Sequence, residues 1–98
     1  MSDDWTFLTN HAHVLLAVAR DPKLRLRDIA ELVGITERTA VGIVSDLEKG
    51  GYIRREKVGR RNRYVLNRDR PLRHPLESHH EVGELLEAIG HGFSSSAS

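Results

Sequence analysis

The sequence of 98 residues has no cysteine, only three prolines and few aromatic residues (5%). Without cysteine there is neither a disulfide nor a thiolate metal ligand, so cysteine usage gives no information on the cellular compartment. No apolar run approaches the roughly 20 residues needed to cross a bilayer, and the acidic start MSDDW is unlike a signal peptide. These absences favour a cytoplasmic protein with no membrane partner.

Both ends of the chain also lack basic residues. All 15 lysines and arginines lie between Arg20 and Arg73, a stretch that holds only eight of the 14 acids and so carries a net charge of +7. The whole chain carries only +1. Within Arg54–Arg73, nine bases meet two acids. A basic patch of this density between acidic ends is typical of a surface that meets a polyanion such as nucleic acid.

The hydrophobic fraction of 39% and the chain length predict one folded domain with one modest core. Thr9 is a good N-cap for a first helix, NHAHVLLAVAR, that ends near Pro22. A short extended piece, LRL, is expected next. RDIAELVG then predicts a short helix with Ile29, Leu32 and Val33 inward and Gly34 as its stop.

The segment GITERTAVGIVSDLEKGG predicts a third helix from about Glu37 to Lys49, capped by Thr36 and ended by two glycines. Its apolar residues recur at i, i+3, i+4 and i+7, which indicates one buried stripe. That stripe consists of Ala40, Ile43, Val44 and Leu47.

Two β-like runs follow, YIRREKV and RYVL, separated by the polar residues GRRN, and this order predicts a hairpin. The Pro-interrupted stretch NRDRPLRHPL favours an extended connector. ESHHEVGELLEAIG predicts a last amphipathic helix with one apolar stripe: Val82, Leu85, Leu86 and Ile89.

The predicted order of elements is helix, helix, tight turn, longer helix and basic hairpin. This order resembles the winged helix-turn-helix regulators of the MarR-like and ArsR-like kind, over roughly Thr9 to Leu66. The resemblance rests on LRDIAELVGITERTAVGIVSDLEKGGYIRR and on the wing VGRRNRYVL. It implies a mainly α fold with a small β-hairpin. The expected organisation is a winged helix-turn-helix domain over residues 5–70, a C-terminal dimerisation helix over 74–90 and a disordered tail over 91–98.

The resemblance also implies a function, which is sequence-specific binding of double-stranded DNA by a transcription regulator. In the family, the exposed face of the third helix enters the major groove. Carried over residue by residue, the expected contacts are Thr36, Glu37, Arg38, Thr39, Val41, Gly42 and Ser45. Relatives usually carry polar or basic side chains where this chain has Val41 and Gly42, and that departure weakens the expectation of strong base reading by this helix.

The wing of the family rides along the DNA backbone or into the minor groove. Arg60 and Arg61 are expected at its tip, with Asn62 beside them and Arg63 at the start of the return strand. Arginine suits the negative potential of a narrow minor groove. A solvated charged turn is the plainer interpretation, but nine bases against two acids make it the weaker one.

Because one recognition helix reads only a few base pairs, a homodimer is expected, with Val82, Leu85, Leu86 and Ile89 as its seam. Packing of that stripe on its own domain is an equal alternative. A winged-helix protein-interaction module without operator recognition is the rival function, which the bland Val41 and Gly42 favour and the basic wing opposes.

Other chemistry has little support in the sequence. No Gly-rich phosphate loop or nucleophile motif occurs, so we expect neither an enzyme nor a cofactor. His80, Glu84, Glu87 and His91 fall on one face of the last helix, where two copies could together bind Zn²⁺. Gly90 is expected to end the helix before His91, so no metal site is predicted and a metal-responsive repressor is a minor alternative.

Overall fold

The computed structural model describes residues 5–95, with side-chain surroundings described as far as Gly90. Four helices and one antiparallel hairpin follow each other in the expected order, which confirms the mainly α fold with a small β-hairpin. The elements are α1 (Asn10–Arg20), α2 (Leu26–Val33), α3 (Glu37–Lys49), β1 (Ile53–Val58), β2 (Arg61–Leu66) and α4 (Val82–Ser95).

Local signals place the first three helices. The Thr9 hydroxyl accepts a hydrogen bond from the Ala12 N–H at 3.4 Å, and α1 ends one residue before Asp21. Gly34 lies between α2 and α3 with φ of 88°, a left-handed conformation that glycine adopts without the steric penalty of a Cβ. The sharp turn into α3 therefore depends on the glycine that the sequence pattern indicates.

The core lies between α1, α3, the base of the hairpin and α4. Its largest buried side chains come from all six elements and one loop position: Val14, Leu15, Leu16, Val18, Ile29, Ile43, Val44, Leu47, Tyr52, Ile53, Tyr64, Val82 and Leu86. The prediction that Leu32 faces inward is wrong, because its side chain is 53% exposed. On α2 the buried side chains are Ile29 and Ala30, while Val33 is half-buried.

The expected extended piece at residues 24–26 forms no strand, since Leu26 already begins α2. Instead of a third strand, a backbone hydrogen bond connects the α1–α2 loop to the hairpin. The Tyr64 N–H of β2 donates to the Pro22 carbonyl at 3.0 Å. This bond holds the α1–α2 loop against the return strand of the hairpin.

The hairpin turn is tighter than the sequence indicated. Residue Val58 pairs with Arg61 and Ile53 pairs with Leu66, which leaves Gly59 and Arg60 as the two turn residues. Gly59 has φ of 65° and Arg60 has negative φ, the pattern of a type II′ turn whose twist suits a two-residue hairpin. Arg61 and Asn62, expected in the loop, therefore belong to β2.

The connector between β2 and α4 is folded back rather than extended. Asn67 donates to the Gly51 carbonyl at 3.2 Å, and the Arg70 guanidinium donates to the Gly50 carbonyl at 2.8 Å. Pro71 forms an isolated antiparallel bridge with Glu81. The helix that the sequence placed at residues 74–90 begins only at Val82, because turns and bends occupy residues 73–80.

Helix α4 continues to Ser95, beyond the position where the disordered tail 91–98 was expected to begin. Residues 96–98 of that tail lie outside the described residues. At the other end, Gly83 lies against the connector so closely that an added Cβ would be 2.9 Å from both the Cβ and the carbonyl oxygen of Arg68. The Gly83 N–H donates to that carbonyl at 2.9 Å, so a glycine is needed where α4 begins.

Candidate nucleic-acid interface

Helix α3 divides into a buried face and an exposed face. The predicted stripe of Ala40, Ile43, Val44 and Leu47 is buried, which confirms it. Of the residues expected to meet DNA, six are exposed and one is half-buried. The exposed ones are Thr36, Glu37, Arg38, Thr39, Val41 and Gly42, and the half-buried one is Ser45.

The N-terminus of α3 is built around two threonines. The Thr36 hydroxyl accepts from the Thr39 N–H at 3.1 Å and donates to the Thr39 hydroxyl at 2.9 Å. Thr36 therefore uses its own proton within the cap. Within the described part of the chain, Thr39 keeps its hydroxyl proton free for a ligand, so of this pair Thr39 is the donor available at the helix end.

The middle of the exposed face is apolar and small. Val41 is 48% exposed, and a Cβ built on Gly42 meets no atom within 4 Å. Nothing inside the described chain requires a glycine at this position of the helix. A methyl group added at this position would point into open space.

The hairpin carries two kinds of arginine. Near its base, Arg54 donates to Glu56 at 2.7 Å, and Arg55 donates to both carboxylate oxygens of Glu48 at 2.9 and 3.2 Å. The hydrogen bond from Arg54 lowers the pKa of Glu56 below its ordinary value, and the hydrogen bond to Glu48 raises the pKa of Arg55. These two arginines are already paired within the protein.

Near the tip, Lys57, Arg60, Arg61 and Arg63 are exposed, and none forms an ion pair with a carboxylate of residues 5–90. Arg63 lies opposite Glu56 in the register, and its charge helps to lower the pKa of that carboxyl, so Lys57, Arg60 and Arg61 are the cations that no described carboxylate offsets. Asn62 is exposed beside them, opposite Lys57. The tip is therefore an uncompensated cationic surface, to which the structure adds Lys57. The sequence signal for Lys57 is its position two residues before the turn.

The pair Arg55–Glu48 joins the hairpin to α3. Arg55 lies opposite Tyr64 in the register, and the Tyr64 side chain is buried, which raises the pKa of its phenol. The bidentate geometry fixes the guanidinium in one orientation. The two residues lie seven positions apart on different elements, so no periodicity in the sequence pointed to this contact.

The four residues predicted for a dimer seam do not form one exposed surface. Val82 and Leu86 are buried in the core of their own domain, where α4 packs against α1. Leu85 is half-buried and Ile89 is 45% exposed. The prediction of a four-residue seam is therefore wrong for Val82 and Leu86, because α1 already covers that side of the helix.

An apolar groove of about 840 Å³ runs beside Leu85. It lies between the segment before α1, the C-terminal half of α3, the connector and α4. Phe7 and Leu72 contribute apolar walls, and His11 and Asp46 form a 2.9 Å contact at its edge. The groove is separate from the cationic hairpin tip in its lining residues.

The histidines and glutamates that the sequence placed on one helix face show one pair, although His80 lies before α4 begins. His80 Nδ1 lies 2.7 Å from a Glu84 carboxylate oxygen. No group of three or more His, Asp or Glu side chains suited to a metal ion occurs among the described residues. The side chain of His91, the fourth member of the hypothetical zinc set, lies outside them.

A capped recognition helix followed by a two-stranded basic wing defines a winged helix-turn-helix protein. A model of the MarR family matches residues 6–63, more than half of the chain. The chain therefore belongs to the MarR family, a family of transcription regulators rather than enzymes.

Two known proteins resemble the chain. An uncharacterized protein of Methanocaldococcus jannaschii is 29% identical over 66 residues, which cover 66% of this chain and 14% of that protein. The crystal structure of MepR, a transcription regulator of the Staphylococcus aureus multidrug efflux pump MepA, has a TM-score of 0.54 and 21% identity. That match covers 96% of this chain and 64% of MepR, and at this identity it shows the fold alone.

Between residues 5 and 95, every helix is too short or too polar to cross a membrane.

Proposed function

We propose that the protein is a sequence-specific DNA-binding transcription regulator that acts as a homodimer. In this proposal the exposed face of α3 enters the major groove, and the hairpin tip follows the backbone or the adjacent minor groove. One observation carries it: three exposed cations at the tip, Lys57, Arg60 and Arg61, have no ion-pair partner among residues 5–90, on a hairpin that Arg55 and Glu48 join to α3. Membership of the MarR family supports the same conclusion.

Base reading is assigned to the first turns of α3. Arg38 is exposed at the second position of the helix, where its fork can donate to both acceptors of a guanine edge. Glu37 can accept from a cytosine amino group, and the exposed Val41 can touch a thymine methyl. Thr39 and the N-terminus of the helix suit a phosphate.

The test is a selection of bound duplexes from a random pool, followed by Arg38→Ala on the selected site. One bidentate pairing with guanine is worth roughly 1–3 kcal/mol of discrimination. Its removal corresponds to about 5- to 150-fold weaker binding of the selected site. Random duplex is expected to be affected much less, since only one positive charge disappears. Equal weakening on both duplexes would make Arg38 a phosphate-binding residue.

The wing is tested by Arg60→Ala with Arg61→Ala. Phosphate contacts carry little sequence information, so binding should weaken alike on all duplexes. The slope of log K against log salt should fall by about 0.9 for each phosphate that the variant no longer neutralises. Arg54→Ala is the matched control, because Arg54 already pairs with Glu56. An unchanged slope in the double variant would show that the wing does not contact the DNA backbone.

A protein-interaction module is the second candidate function, and the exposure of Val41 beside the open space at Gly42 favours it. Such a neutral strip suits an apolar partner surface. If the protein is such a module, the selection should give no preferred DNA site, and Arg38→Ala should not change the preference for any base position. The same experiment therefore separates the two functions.

The homodimer is proposed on the need for a doubled site, because one recognition helix distinguishes too few base pairs. With Val82 and Leu86 in the core, we assign the seam to the half-buried Leu85, the groove beside it and the exposed Ile89. Leu85→Glu with Ile89→Glu should give a folded monomer in sedimentation, with much weaker binding to the selected site. A wild type that is monomeric at high concentration would contradict the assignment.

A further inference from the structure

The α1–α2 loop and the hairpin tip enclose a crevice, and the loop side of this crevice has no role in the interface proposed above. It has a volume of about 360 Å³. Lys23 and Arg25 line it from the loop, and Arg60, Arg61 and Asn62 line it from the hairpin. The hydrogen bond from Tyr64 to Pro22 holds the two walls together.

The crevice is cationic on both sides. Its charged lining consists of four positive side chains, beside one amide, and no acidic side chain lines it. Leu24, Leu26 and Tyr64 complete the lining. The two carboxylates nearest in sequence accept from backbone N–H groups instead: Asp21 from Lys23 at 3.1 Å and Asp28 from Arg25 at 3.3 Å. Among residues 5–90, neither Asp21 nor Asp28 forms an ion pair with these four cations.

Four like charges around one space repel each other unless an anion lies between them. The lining offers arginine forks, an ammonium group and an amide, which are the donors that recognise phosphate oxygens. Since water occupies about 30 Å³ per molecule in the liquid, the space is large enough for a hydrated oxyanion.

We infer that this crevice binds a phosphate of the DNA backbone, with Lys23 and Arg25 as a third contact element beside the recognition helix and the wing. The inference rests on the proposed DNA-binding function and extends it to the α1–α2 loop. Duplex DNA is favoured over a free phosphate ion because all four cations are exposed and so hold a single small anion weakly. The wing arginines that line the crevice also belong to the proposed interface, so one duplex can reach both.

The test is Lys23→Gln with Arg25→Gln in the full chain, measured as the salt dependence of binding to the selected duplex and to random duplex. Each phosphate that is no longer neutralised should lower the slope of log K against log salt by about 0.9. The decrease should be the same on both duplexes, because binding of the backbone carries no sequence information. The charge-preserving variant Lys23→Arg with Arg25→Lys should keep the slope of the wild type.

Arg54→Gln with Arg68→Gln is the matched control. It removes the same charge from the base of the hairpin and from the connector, and neither residue lines the crevice or the groove beside Leu85. The inference expects this control to keep the wild-type slope. Equal decreases in the two double variants would overturn the crevice assignment in favour of a general effect of net charge.

The remaining outcomes are distinct. A wild type that binds duplex, with an unchanged slope in Lys23→Gln/Arg25→Gln, contradicts the crevice assignment alone. Absence of duplex binding by the wild type contradicts the proposed function as well. If inorganic phosphate at constant ionic strength raises the Tm of the wild type but not of the variant, while the DNA slope is unchanged, the crevice is a small-anion site and the DNA assignment is wrong.

Discussion

Helices α3 and α4 carry the same apolar spacing, but they bury it to different depths. The stripe of α3 is buried at all four positions, whereas α4 buries Val82 and Leu86, half-buries Leu85 and leaves Ile89 exposed. Among the described elements, α3 packs against α1, α2 and β1, while α4 packs against α1. The difference teaches that periodicity identifies the apolar side of a helix, and that the neighbouring elements decide how much of it is covered.

The sharpest test of this comparison is truncation of one buried leucine in each helix. Leu47→Ala should lower the free energy of unfolding by about 2–5 kcal/mol, because it leaves a cavity among several packed elements. Leu86→Ala should cost less within that range, since α4 can shift against its single neighbour. Ile89→Ala is the control and should change stability by about 0.5 kcal/mol or less. Urea denaturation measures all three, and a cost for Ile89→Ala equal to that for Leu86→Ala would contradict the described packing of α4.

A second test concerns the way in which α4 is attached. Gly83→Ala places a Cβ against the carbonyl oxygen of Arg68, so either the helix or the connector must move. Overpacking of this kind typically costs about 1–3 kcal/mol, which exceeds the gain in helix propensity. The expected result is a lower Tm, together with faster hydrogen exchange in the first turns of α4. An unchanged Tm would show that the connector yields freely at Arg68.

A third test compares two open glycines, one in each helix. Added Cβ atoms at Gly42 and Gly90 meet nothing within 4 Å, so alanine at either position should stabilise the protein by roughly 0.5–1 kcal/mol. On DNA the two should diverge. If α3 approaches the bases closely, Gly42→Ala weakens duplex binding, whereas Gly90→Ala leaves it unchanged. Equal duplex affinities for both variants would contradict close backbone approach at Gly42.

The smallest expected effect concerns the start of α4. The Glu81 N–H donates to the Glu84 carboxylate at 2.9 Å and, with His80, lowers the pKa of that carboxylate in the folded protein. A lowered pKa means that the ionised form is favoured on folding. This stabilisation is therefore complete above the pKa of the unfolded carboxyl and is lost as the pH falls through the lower, folded value. Tm measured against pH should fall less on acidification in Glu84→Gln than in the wild type, and parallel curves would contradict the role of Glu84.

The same contrast explains which sequence predictions were confirmed. Helix α3 follows its caps and its stripe, since Thr36, Gly34 and the apolar spacing act within a few residues of each other. The start of α4 was predicted several residues too early because neither proline nor glycine occurs between Pro75 and Val82. In the structure, those residues turn and bridge to the connector through Glu81 and Pro71.

The features of the candidate interface likewise divide into those that local sequence patterns predicted and those that depend on tertiary contacts. Exposure of Arg38, Val41 and Gly42 followed from the buried stripe on the opposite face of α3. The sequence pattern did not predict which arginines of the hairpin are paired, because Arg55 pairs with Glu48 on another element. The proposed role of Lys23 and Arg25 in phosphate binding depends on a loop that meets β2 about 40 residues later in the chain.

The sequence by itself determined the order of the elements, the capped third helix, the glycine turns and the basic hairpin, because each depends on steric and hydrogen-bonding preferences over a few neighbouring residues. Only the tertiary structure decided that Leu32 is exposed, that Val82 and Leu86 belong to the core, and that cations from two distant segments share one crevice. Burial and charge pairing are set by which surfaces meet in space. That outcome depends on the packing of the whole domain, which no local pattern specifies.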